Sequence, residues 1–470
     1  MVSSSQHYTA QQVDQLMASS QRIHFIGIGG SGMYPLVQIL HSKGYHITGS
    51  DVNDGDIIHY EKQLGISVAL QQCPENLGDA QVIIYTAAIL PGNRELGAAR
   101  ERGLPCLERS LLLGWVTRQF DDAVCICGTH GKTTATSMLT QVLLEAGKDP
   151  SAVIGGKLPA IHGYGRVGQS SLCVVEACEF VDTFLELSPD VAVLLNIDND
   201  HLDYFKTMEN LTASFHRFLS MATKRIYVNG DDPNSQKALK GLSVPVYTFG
   251  LSEKNHCYAK DLTPGHRSGW GFRLCLEGKE LGQVLLKVPG RHNIYNALAA
   301  AAAALSYGVE PEAICSGLGH FGGAGRRFEI LGVTPGGVTI ADDYAHHPTE
   351  LGATLDAAME MGFHQVWAVF QPFTYSRTQR LMGDFARVLK KADHVLLTEI
   401  MGSREVNTFG VTSQQLAEQV PGAIVFEGFE PLCDYALANA QEGDLILTLG
   451  CGDIYKAAKH MLGLGEYQNS

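Results

Sequence analysis

The sequence lacks the features that mark membrane-spanning, nucleic-acid-binding and disulfide-rich proteins. Its longest run of small apolar residues, Ala297 to Leu305, is far shorter than the roughly 20 residues that cross a bilayer. Acidic residues outnumber basic ones and the formal net charge is −14, so neither nucleic acid nor an anionic membrane surface is expected as a partner. None of the eleven cysteines forms a C-x-x-C pair, which predicts reduced and mostly buried thiols.

The N-terminal segment and the composition are those of an ordinary globular protein. Residues 1–22 are polar and lack a basic stretch followed by an apolar core, so we expect no secretory signal and a cytoplasmic location. Hydrophobic residues make up 45% of the chain and charged residues 18%, which is sufficient for well-formed cores. At roughly 100–200 residues per domain, 470 residues predict two to four domains.

Short apolar runs alternate with segments of helical period, which predicts an α/β fold throughout. Two units of strand, glycine turn and helix begin at Arg22 and at Ala123. Further buried strands are expected at residues 171–176, 191–196, 225–229, 338–341, 365–371, 394–398, 424–427 and 445–449. A connecting helix at 104–120 and a glycine-rich joint at 321–325 then divide the chain into three α/β domains, at residues 1–107, 108–324 and 325–470.

The first glycine motif follows the first strand and has the spacing G-x-G-x-x-G at Gly27, Gly29 and Gly32. Glycines at these positions let backbone amides at a helix N-terminus approach a pyrophosphate. Asp51 ends the next strand, near the spacing at which an acidic residue meets a ribose. The motif also fits an NAD-dependent dehydrogenase, but it indicates a pyrophosphate and not a hydride acceptor. A UDP-sugar presents the same diphosphate and ribose.

The second glycine motif is Gly-Thr-His-Gly-Lys-Thr-Thr at residues 128–134. Its amides can surround phosphates, Lys132 can neutralise the β- and γ-phosphates, and the Thr133 hydroxyl can bind magnesium. Ile126 stands where the strict phosphate-loop pattern has its first glycine. A glycine turn carrying a surface lysine is the alternative, but the strand before the motif and the helix after it favour a nucleotide site.

Acidic residues and a histidine follow the next two strands. Glu176 and Glu179 end one strand, and His201 stands among aspartates after the other. A carboxylate and an imidazole at adjacent strand ends can reach a cation held by nucleotide phosphates. Taken singly, a glutamate or a histidine at a strand end is more often a cap or an ordinary hydrogen-bond partner, but together with a phosphate loop these residues favour metal ligands.

Three later segments also suggest a site. Residues 291–296 open an alanine-rich helix and could hold a nucleotide base, although capping by Asn293 explains them nearly as well. The pair Arg326 and Arg327 at the domain joint fits a phosphate, or else a solvated surface. Residues 342–348 and 371–377 follow strands of the third domain, where α/β proteins usually bind ligands.

Together these motifs resemble the Mur ligases of peptidoglycan synthesis, in order and over nearly the whole chain. The resemblance rests on the two glycine motifs and on Asp-His-Leu-Asp (200–203), Gly-Arg-His-Asn (290–293), Arg-Arg-Phe-Glu (326–329), Asp-Asp-Tyr-Ala-His-His-Pro-Thr-Glu (342–350) and Tyr-Ser-Arg-Thr (375–378). It implies a Rossmann-like N-terminal domain, a central phosphate-loop domain that binds ATP, and a Rossmann-like C-terminal domain. The implied reaction is ATP- and Mg²⁺-dependent ligation of L-alanine to the lactyl carboxylate of UDP-N-acetylmuramate, a step in cell-wall synthesis and thus in cell shape and division.

The resemblance also implies roles for individual residues. The residues implied to bind UDP-N-acetylmuramate and L-alanine are Gly27, Gly29, Gly30, Ser31, Gly32, Met33, Asp51, Thr86, Tyr344, His346, His347 and Arg377. Those implied to bind ATP are Gly128, Thr129, His130, Gly131, Lys132, Thr133, Thr134, His292, Asn293, Asn296 and Arg327, the last at the γ-phosphate. Magnesium would be held by Thr133, Glu176 and His201. The implied catalytic residues are Lys132, Glu176, His201, Arg327, His346 and Arg377.

Two positions bear on the branch of the family. Several sibling ligases carry a modified lysine where this chain has residues 214–216, Ser-Phe-His, which fits the alanine-adding branch. That branch usually has histidine where this chain has Phe373, so a polar group is missing near the expected amino-acid pocket.

Alternatives are a Mur-type ligase for another amino acid or a peptide, a folylpolyglutamate-type ligase, and a nucleotide-binding scaffold without chemistry. We expect a monomer or a dimer.

Overall fold

A computed structural model describes residues 8–90, 92–265, 269–403 and 405–464. These residues form three β-sheets with helices between the strands, which confirms the predicted α/β class. The described residues divide into two compact units, one within residues 1–258, 275–279 and 296–317 and the other within 259–274, 280–295 and 318–470. The first unit contains the first sheet and most of the second, and the other unit contains the third sheet.

The first sheet is parallel. Its strands are β1 (Arg22–Ile26), β2 (His46–Ser50), β3 (Ser67–Ala69), β4 (Val82–Tyr85) and β5 (Cys106–Glu108), in the order β3-β2-β1-β4-β5. The helices are α1 (Ala10–Ser19), α2 (Tyr34–Ser42), α3 (Asp56–Gln63), α4 (Arg94–Glu101) and α5 (Arg109–Thr117), with a 3₁₀ helix at Pro74–Leu77. Because the strand order reverses at β1, the loops after β1 and β4 meet at the carboxyl edge, where α/β sheets bind ligands.

The connecting helix predicted for residues 104–120 is partly wrong. Cys106–Glu108 form strand β5, and helix α5 begins only at Arg109. Pro105 explains the late start, because proline has no N–H to donate and disfavours helical backbone in the residue before it. Leu107 is buried while its two neighbours are half-buried, which is the alternation of a strand.

The second sheet is the largest. Its strands are β6 (Asp122–Cys127), β7 (Ser151–Leu158), β8 (Gly163–Arg166), β9 (Leu172–Glu176), β10 (Val191–Leu194), β11 (Arg225–Asn229), β12 (Val246–Gly250), β13 (Cys257–Thr263), β14 (Gly271–Leu276) and β15 (Lys279–Leu285). Their order is β15-β14-β13-β12-β11-β10-β6-β9-β7-β8, with β7 and β8 antiparallel. The helices that follow are α6 (Lys132–Glu145), α7 (Leu202–Phe205), α8 (Met208–Ser220), α9 (Pro233–Lys237), α10 (His292–Leu305) and α11 (Pro311–His320), with 3₁₀ helices at Pro159–Ile161 and Phe180–Glu186.

The third sheet has six strands. They are β16 (Glu329–Val333), β17 (Thr339–Asp343), β18 (Val366–Phe370), β19 (His394–Thr398), β20 (Ile424–Phe426) and β21 (Leu445–Leu449), in the order β16-β17-β21-β18-β19-β20. Only β16 runs antiparallel to its neighbour among the strand pairs described. The helices are α12 (Pro348–Glu360), α13 (Tyr375–Leu389), α14 (Ser413–Ala417), α15 (Phe429–Asn439) and α16 (Tyr455–Met461).

Burial confirms the expectations drawn from the apolar run and the cysteines. The alanines of α10 are buried, so this run packs in a core. Among the described residues, no helix combines the length and the hydropathy that a membrane crossing requires. All eleven cysteines carry free thiols, and Cys125 and Cys127 of β6 are fully buried.

Candidate active site

The phosphate loop joins β6 to α6 and requires glycine at two positions. Gly128 has a φ of +138°, and a Cβ there would lie 3.1 Å from the backbone nitrogen of Asn196. Gly131 has a φ of +86°, and a Cβ there would lie 2.4 Å from Oδ1 of Asn296. Side chains at either position would be strained and crowded. Asn296, which was assigned to ATP, therefore packs against the phosphate loop.

Lys132 is held inside its own loop by three acceptors. Its ammonium donates to the carbonyl oxygens of Gly128 (2.6 Å) and Thr129 (3.0 Å) and to Oε2 of Glu179 (2.8 Å). Burial opposes the charge, but Glu179, which is only 1% exposed, raises the pKa of Lys132 above its ordinary value. A phosphate bound by the loop would compete with Glu179 for this ammonium. Glu179 was predicted only as one of the acidic residues at this strand end, and its contact with Lys132 was not predicted.

Thr133 and Glu176 form the oxygen pair expected at a magnesium site. The Thr133 hydroxyl donates to Oε1 of Glu176 at 2.9 Å, across from α6 to the end of β9. The other carboxylate oxygen accepts from the backbone N–H of Gly155 at 2.7 Å. A Cβ at Gly155 would lie 2.6 Å from that oxygen, so β7 can approach the carboxylate only with glycine here. A hydroxyl and a carboxylate are ligands that Mg²⁺ accepts.

The loop after β10 forms several hydrogen bonds to the phosphate loop. The side-chain oxygen of Asn196 accepts from His130 N (2.9 Å), and its amide donates to the His130 carbonyl (3.0 Å). The Asp198 N–H donates to the Thr129 hydroxyl (2.9 Å), and the Asp198 carboxylate lies 2.9 Å from Nε2 of His130. Thr134 is buried at the start of α6. Thr129 and His130 thus shape the loop through their neighbours.

His201 lies on the same side of the second sheet as Glu179. It has a φ of +54°, and its Nε2 is 3.7 Å from Glu179 Oε1 and 3.5 Å from Asp200 Oδ2. Its ring is 4.8 Å from that of Phe180. The structure therefore brings His201 to the carboxylate that binds Lys132. A magnesium ion shared by His201 and Glu176 stays a prediction.

The first glycine loop lies beside the loop that follows β4. Gly27 has a φ of +80°, and a Cβ there would lie 2.5 Å from Cγ2 of Thr86. The Met33 N–H donates to the Gly30 carbonyl at 2.8 Å in the turn that starts α2. The backbone N–H groups of Ser31 and Gly32 donate to no other described residue. These two donors at a helix N-terminus are suited to an anion.

Asp51 stabilises the first glycine loop through its carboxylate. Its Oδ2 accepts from the Gly29 N–H (2.9 Å) and its Oδ1 from the Val52 N–H (2.8 Å). The fully buried Glu61 of α3 is close enough to feel this charge, and burial, followed by the charge of Asp51, raises the pKa of Glu61 to about 9. Glu61 is therefore protonated at neutral pH and adds no negative charge beside a loop that is predicted to bind a diphosphate.

The start of α10 is held by its own residues. The helix begins at His292, so Asn293 is not its N-cap. The Asn293 amide donates to the Pro289 carbonyl at 2.6 Å, and a Cβ at Gly290 would lie 2.4 Å from Cε1 of His292. Contacts of His292 and Asn293 with ATP stay predictions.

The two arginines at the joint differ in their surroundings. Arg326 donates to Asp342 Oδ2 (2.8 Å) and to the Gly450 carbonyl (2.7 Å), and lies over the Tyr344 ring at 5.0 Å. These contacts give Arg326 a structural role within the third domain. Arg327 lies over the same ring at 5.0 Å. Its contact with the γ-phosphate stays a prediction.

The adjacent histidines carry their protons on different nitrogens. His346 Nδ1 lies 3.1 Å from the Tyr344 carbonyl and 3.3 Å from Glu350 Oε2, both acceptors, so Nδ1 carries a proton. His347 N-caps α12, and its Nδ1 accepts from the Thr349 N–H at 3.3 Å, so its proton is on Nε2. These tautomers follow from hydrogen-bond geometry. The two imidazoles are therefore held through Nδ1 in opposite ways, by acceptors at His346 and by a donor at His347.

The predicted amino-acid residues gather at the carboxyl edge of the third sheet. The ring of Phe373 lies 6.5 Å from that of His346, nearly perpendicular to it. Arg377 is in the first turn of α13, and burial raises the pKa of Cys451 to about 12 although the charge of Arg377 opposes this. A Cβ at Gly452 would lie 2.4 Å from Gln371 Oε1. This Gly-Cys-Gly loop after β21 was not predicted as part of a site, although two glycines at the end of a strand were a signal for one.

Family comparisons agree with this arrangement. Three Mur ligase models match the chain in order: the family's catalytic domain at residues 22–121, its middle domain at 126–304 and its glutamate ligase domain at 326–452. The UDP-N-acetylmuramate–L-alanine ligase of Caldanaerobacter subterraneus subsp. tengcongensis is 41% identical over 448 residues, which are 94% of this chain and 97% of that protein. The enzyme of the same name from Acetivibrio thermocellus is 40% identical over 449 residues, 94% and 96% of the two chains.

Solved structures have the same fold. The UDP-N-acetylmuramate–alanine ligase of Thermotoga maritima superposes with a TM-score of 0.81 at 26% identity, covering 94% of this chain and 98% of that one. A murein peptide ligase of Psychrobacter arcticus has a TM-score of 0.75 at 24% identity and covers 96% and 100% of the two chains, which shows the fold alone. With three domains matched in order and relatives about 40% identical along nearly its full length, the chain belongs to the Mur ligase family.

Proposed function

We propose that this protein joins L-alanine to the lactyl carboxylate of UDP-N-acetylmuramate and that the reaction consumes ATP. Relatives that are 41% and 40% identical over 94% of the chain are named for this reaction. The observation in the site that carries the proposal is the contact between the phosphate-loop hydroxyl of Thr133 and the carboxylate of Glu176 at 2.9 Å. A nucleotide phosphate loop beside a cation site fits phosphoryl transfer better than it fits a scaffold or a dehydrogenase.

The proposed reaction begins with activation of the carboxylate. A carboxylate does not condense with an amine in water, because the oxide is a poor leaving group, so the γ-phosphoryl group of ATP is transferred to it and gives an acyl phosphate. The Lys132 ammonium leaves Glu179 and, with Arg327, stabilises the charge on the transferring group. Thr133, Glu176 and His201 are the proposed magnesium ligands, and the ion would supply further charge neutralisation. The alanine amine then attacks the acyl carbon and phosphate leaves.

The proposed division of labour follows the three domains. Residues 1–107 would bind the UDP-sugar, with its diphosphate at Gly27 to Gly32 and further contacts from Asp51 and Thr86. Residues 108–324 would bind ATP, and residues 325–470 would bind L-alanine through Tyr344, His346, His347 and Arg377. A guanidinium such as that of Arg377 matches a carboxylate with two parallel hydrogen bonds. The use of ATP supports a cytoplasmic location.

The direct test offers single amino acids with ATP, magnesium and UDP-N-acetylmuramate and measures phosphate release. L-alanine should give the highest kcat/KM, and glycine and L-serine lower values, since a missing methylene is worth only about 1–3 kcal/mol and an apolar pocket rejects an added hydroxyl only weakly. D-glutamate and diaminopimelate should not be used. Phe373→His is the matched variant, because Phe373 replaces the histidine that is usual in the alanine-adding branch and its ring lies 6.5 Å from that of His346. A preference for an acidic amino acid, a D-amino acid or a peptide would contradict the assignment to L-alanine.

The tautomers predict which histidine accepts the proton of the attacking amine. Asparagine can replace the Nδ1 hydrogen bond of His346, because its amide can donate to the Tyr344 carbonyl. It can also replace that of His347, because its side-chain oxygen can accept from the Thr349 N–H. Asparagine has no counterpart of Nε2. His346→Asn should therefore lower kcat about 10²-fold, as expected for loss of a general base. The loss should shrink as the pH rises and more of the amine is deprotonated in solution.

The parallel variant His347→Asn keeps the cap of α12 and should cost less than about tenfold in kcat. Rates of phosphate release from pH 6 to 10 for both variants give the comparison. A larger loss in His347→Asn, or a loss in His346→Asn that does not change with pH, would assign the proton to another group.

A further inference from the structure

Helix α5 is a rigid element between the first and second sheets. Leu112 and Val116 on one of its faces are fully buried in a core that includes residues of both sheets. A Cβ at Gly114 would lie 2.1 Å from the Glu186 carbonyl, so the helix packs directly on the 3₁₀ helix Phe180–Glu186. The backbone at the N-terminus of α5 is consequently held in place.

Arg109, the first residue of α5, lies against the first glycine loop. A Cβ built at Gly32 would be 3.2 Å from Nη1 and 3.5 Å from Cζ of Arg109. The guanidinium thus sits beside the N–H groups of Ser31 and Gly32, which donate to no other described residue. The guanidinium of Arg109 and the backbone N–H groups of Ser31 and Gly32 are therefore hydrogen-bond donors in the same region, at the carboxyl edge of the first sheet.

The charge of Arg109 has no acidic partner within the described chain. The side chain is half-buried, yet it makes no hydrogen bond or ion pair with another described residue. The neighbouring Glu108 instead accepts from the Ser110 N–H at 2.8 Å. Arg118, just after the same helix, shows the usual solution, an ion pair with Asp14 at 2.7 Å. In a chain with a net charge of −14, an unpaired, half-buried guanidinium indicates an anionic ligand.

Helix α5 also contacts the segment that follows the proposed phosphoryl-transfer carboxylates. Gly114 packs against the carbonyl of Glu186, in the 3₁₀ helix Phe180–Glu186 that begins directly after Glu179. Glu179 contacts Lys132, and Glu176, three residues earlier, contacts Thr133. Helix α5 therefore links the loop assigned to the UDP-sugar, at Arg109, with the segment that carries these two carboxylates.

We propose that Arg109 binds an anionic group of the UDP-sugar, either its diphosphate or its lactyl carboxylate, and holds the substrate between the two glycine loops. This role rests on the proposed function. Phosphate and carboxylate both match the planar fork of a guanidinium. Lysine offers a point charge without that fork, so Arg109→Lys should restore only part of what Arg109→Gln loses.

The test titrates the full-length protein, without ATP, with UDP, UDP-N-acetylglucosamine and UDP-N-acetylmuramate. Arg109→Gln should weaken binding about 10- to 100-fold, the range for a hydrogen bond to a charged group. Loss with all three ligands would assign Arg109 to the diphosphate, and loss with UDP-N-acetylmuramate alone would assign it to the lactyl carboxylate. Arg102→Gln, a change of the same charge on an exposed residue of the first domain, is the control.

Thermal unfolding separates this binding role from a structural one. Because Arg109 makes no ion pair with another described residue, Arg109→Gln should leave Tm unchanged or raise it. Wild-type affinity of Arg109→Gln for all three ligands would overturn the inference while leaving the proposed function intact. Failure of the wild-type protein to bind UDP-N-acetylmuramate would overturn the proposed function, and this inference with it.

Discussion

Lys132→Met is expected to lower the rate of ligation about 10³-fold while leaving the affinity for UDP-N-acetylmuramate within about twofold. The lysine belongs to the second glycine loop, and its ammonium contacts Gly128, Thr129 and Glu179 there. None of these contacts involves the first glycine loop, which is assigned to the sugar nucleotide. Phosphate release and calorimetric titration with UDP-N-acetylmuramate measure the two quantities separately.

The same substitution should also destabilise the fold, and this effect must be separated from catalysis. Glu179 is 1% exposed, so removing its cation leaves a buried carboxylate, at a cost of roughly 3–5 kcal/mol. The double variant Lys132→Met/Glu179→Gln removes that charge and should recover most of the Tm, but not the rate. Recovery of both would show that Lys132 acts only through stability. A large loss of sugar-nucleotide affinity would show that the two sites had been wrongly separated.

The sequence predicts the buried strands well. The bounds expected for β11, β19 and β21 coincide with the observed Arg225–Asn229, His394–Thr398 and Leu445–Leu449. Strands of a parallel sheet covered on both faces are short apolar runs between polar turns, so their limits are visible in the sequence alone. Strands β13 to β15 carry charged residues such as Lys260 and Arg273, so they are not short apolar runs and were not predicted.

Partners within the site are less predictable than the motifs. The spacing of Asp51 suggests a ribose contact, but its oxygens also accept from the N–H groups of Gly29 and Val52, which only the folded loop reveals. Glu179 and Arg109 are ordinary charged residues in the sequence. Their significance depends on Lys132 and Gly32, which are distant along the chain and become neighbours only through tertiary packing. The tautomers of His346 and His347 likewise depend on Tyr344 and Thr349.

The second large effect is expected at Glu176, where a nearly isosteric change isolates the charge. In Glu176→Gln the amide oxygen can still accept from the Gly155 N–H, and the amide nitrogen can donate to the Thr133 oxygen. Packing around β9 should therefore persist, and Tm should change little. The negative charge that a magnesium ion requires is lost, so turnover should fall about 10³-fold and should not recover at high magnesium.

Comparison with His201 shows whether Glu176 is the main ligand. His201 Nε2 lies 3.7 Å from Glu179 Oε1, and an imidazole is a weaker ligand for magnesium than a carboxylate, so His201→Ala should lose less activity and regain part of it as magnesium is raised. Phosphate release measured across a magnesium series for both variants, with the exposed Glu253→Gln as a charge-matched control, gives the answer. Near-normal rates in Glu176→Gln would transfer the carboxylate role to Glu179, because Glu179 already lies beside both Lys132 and His201.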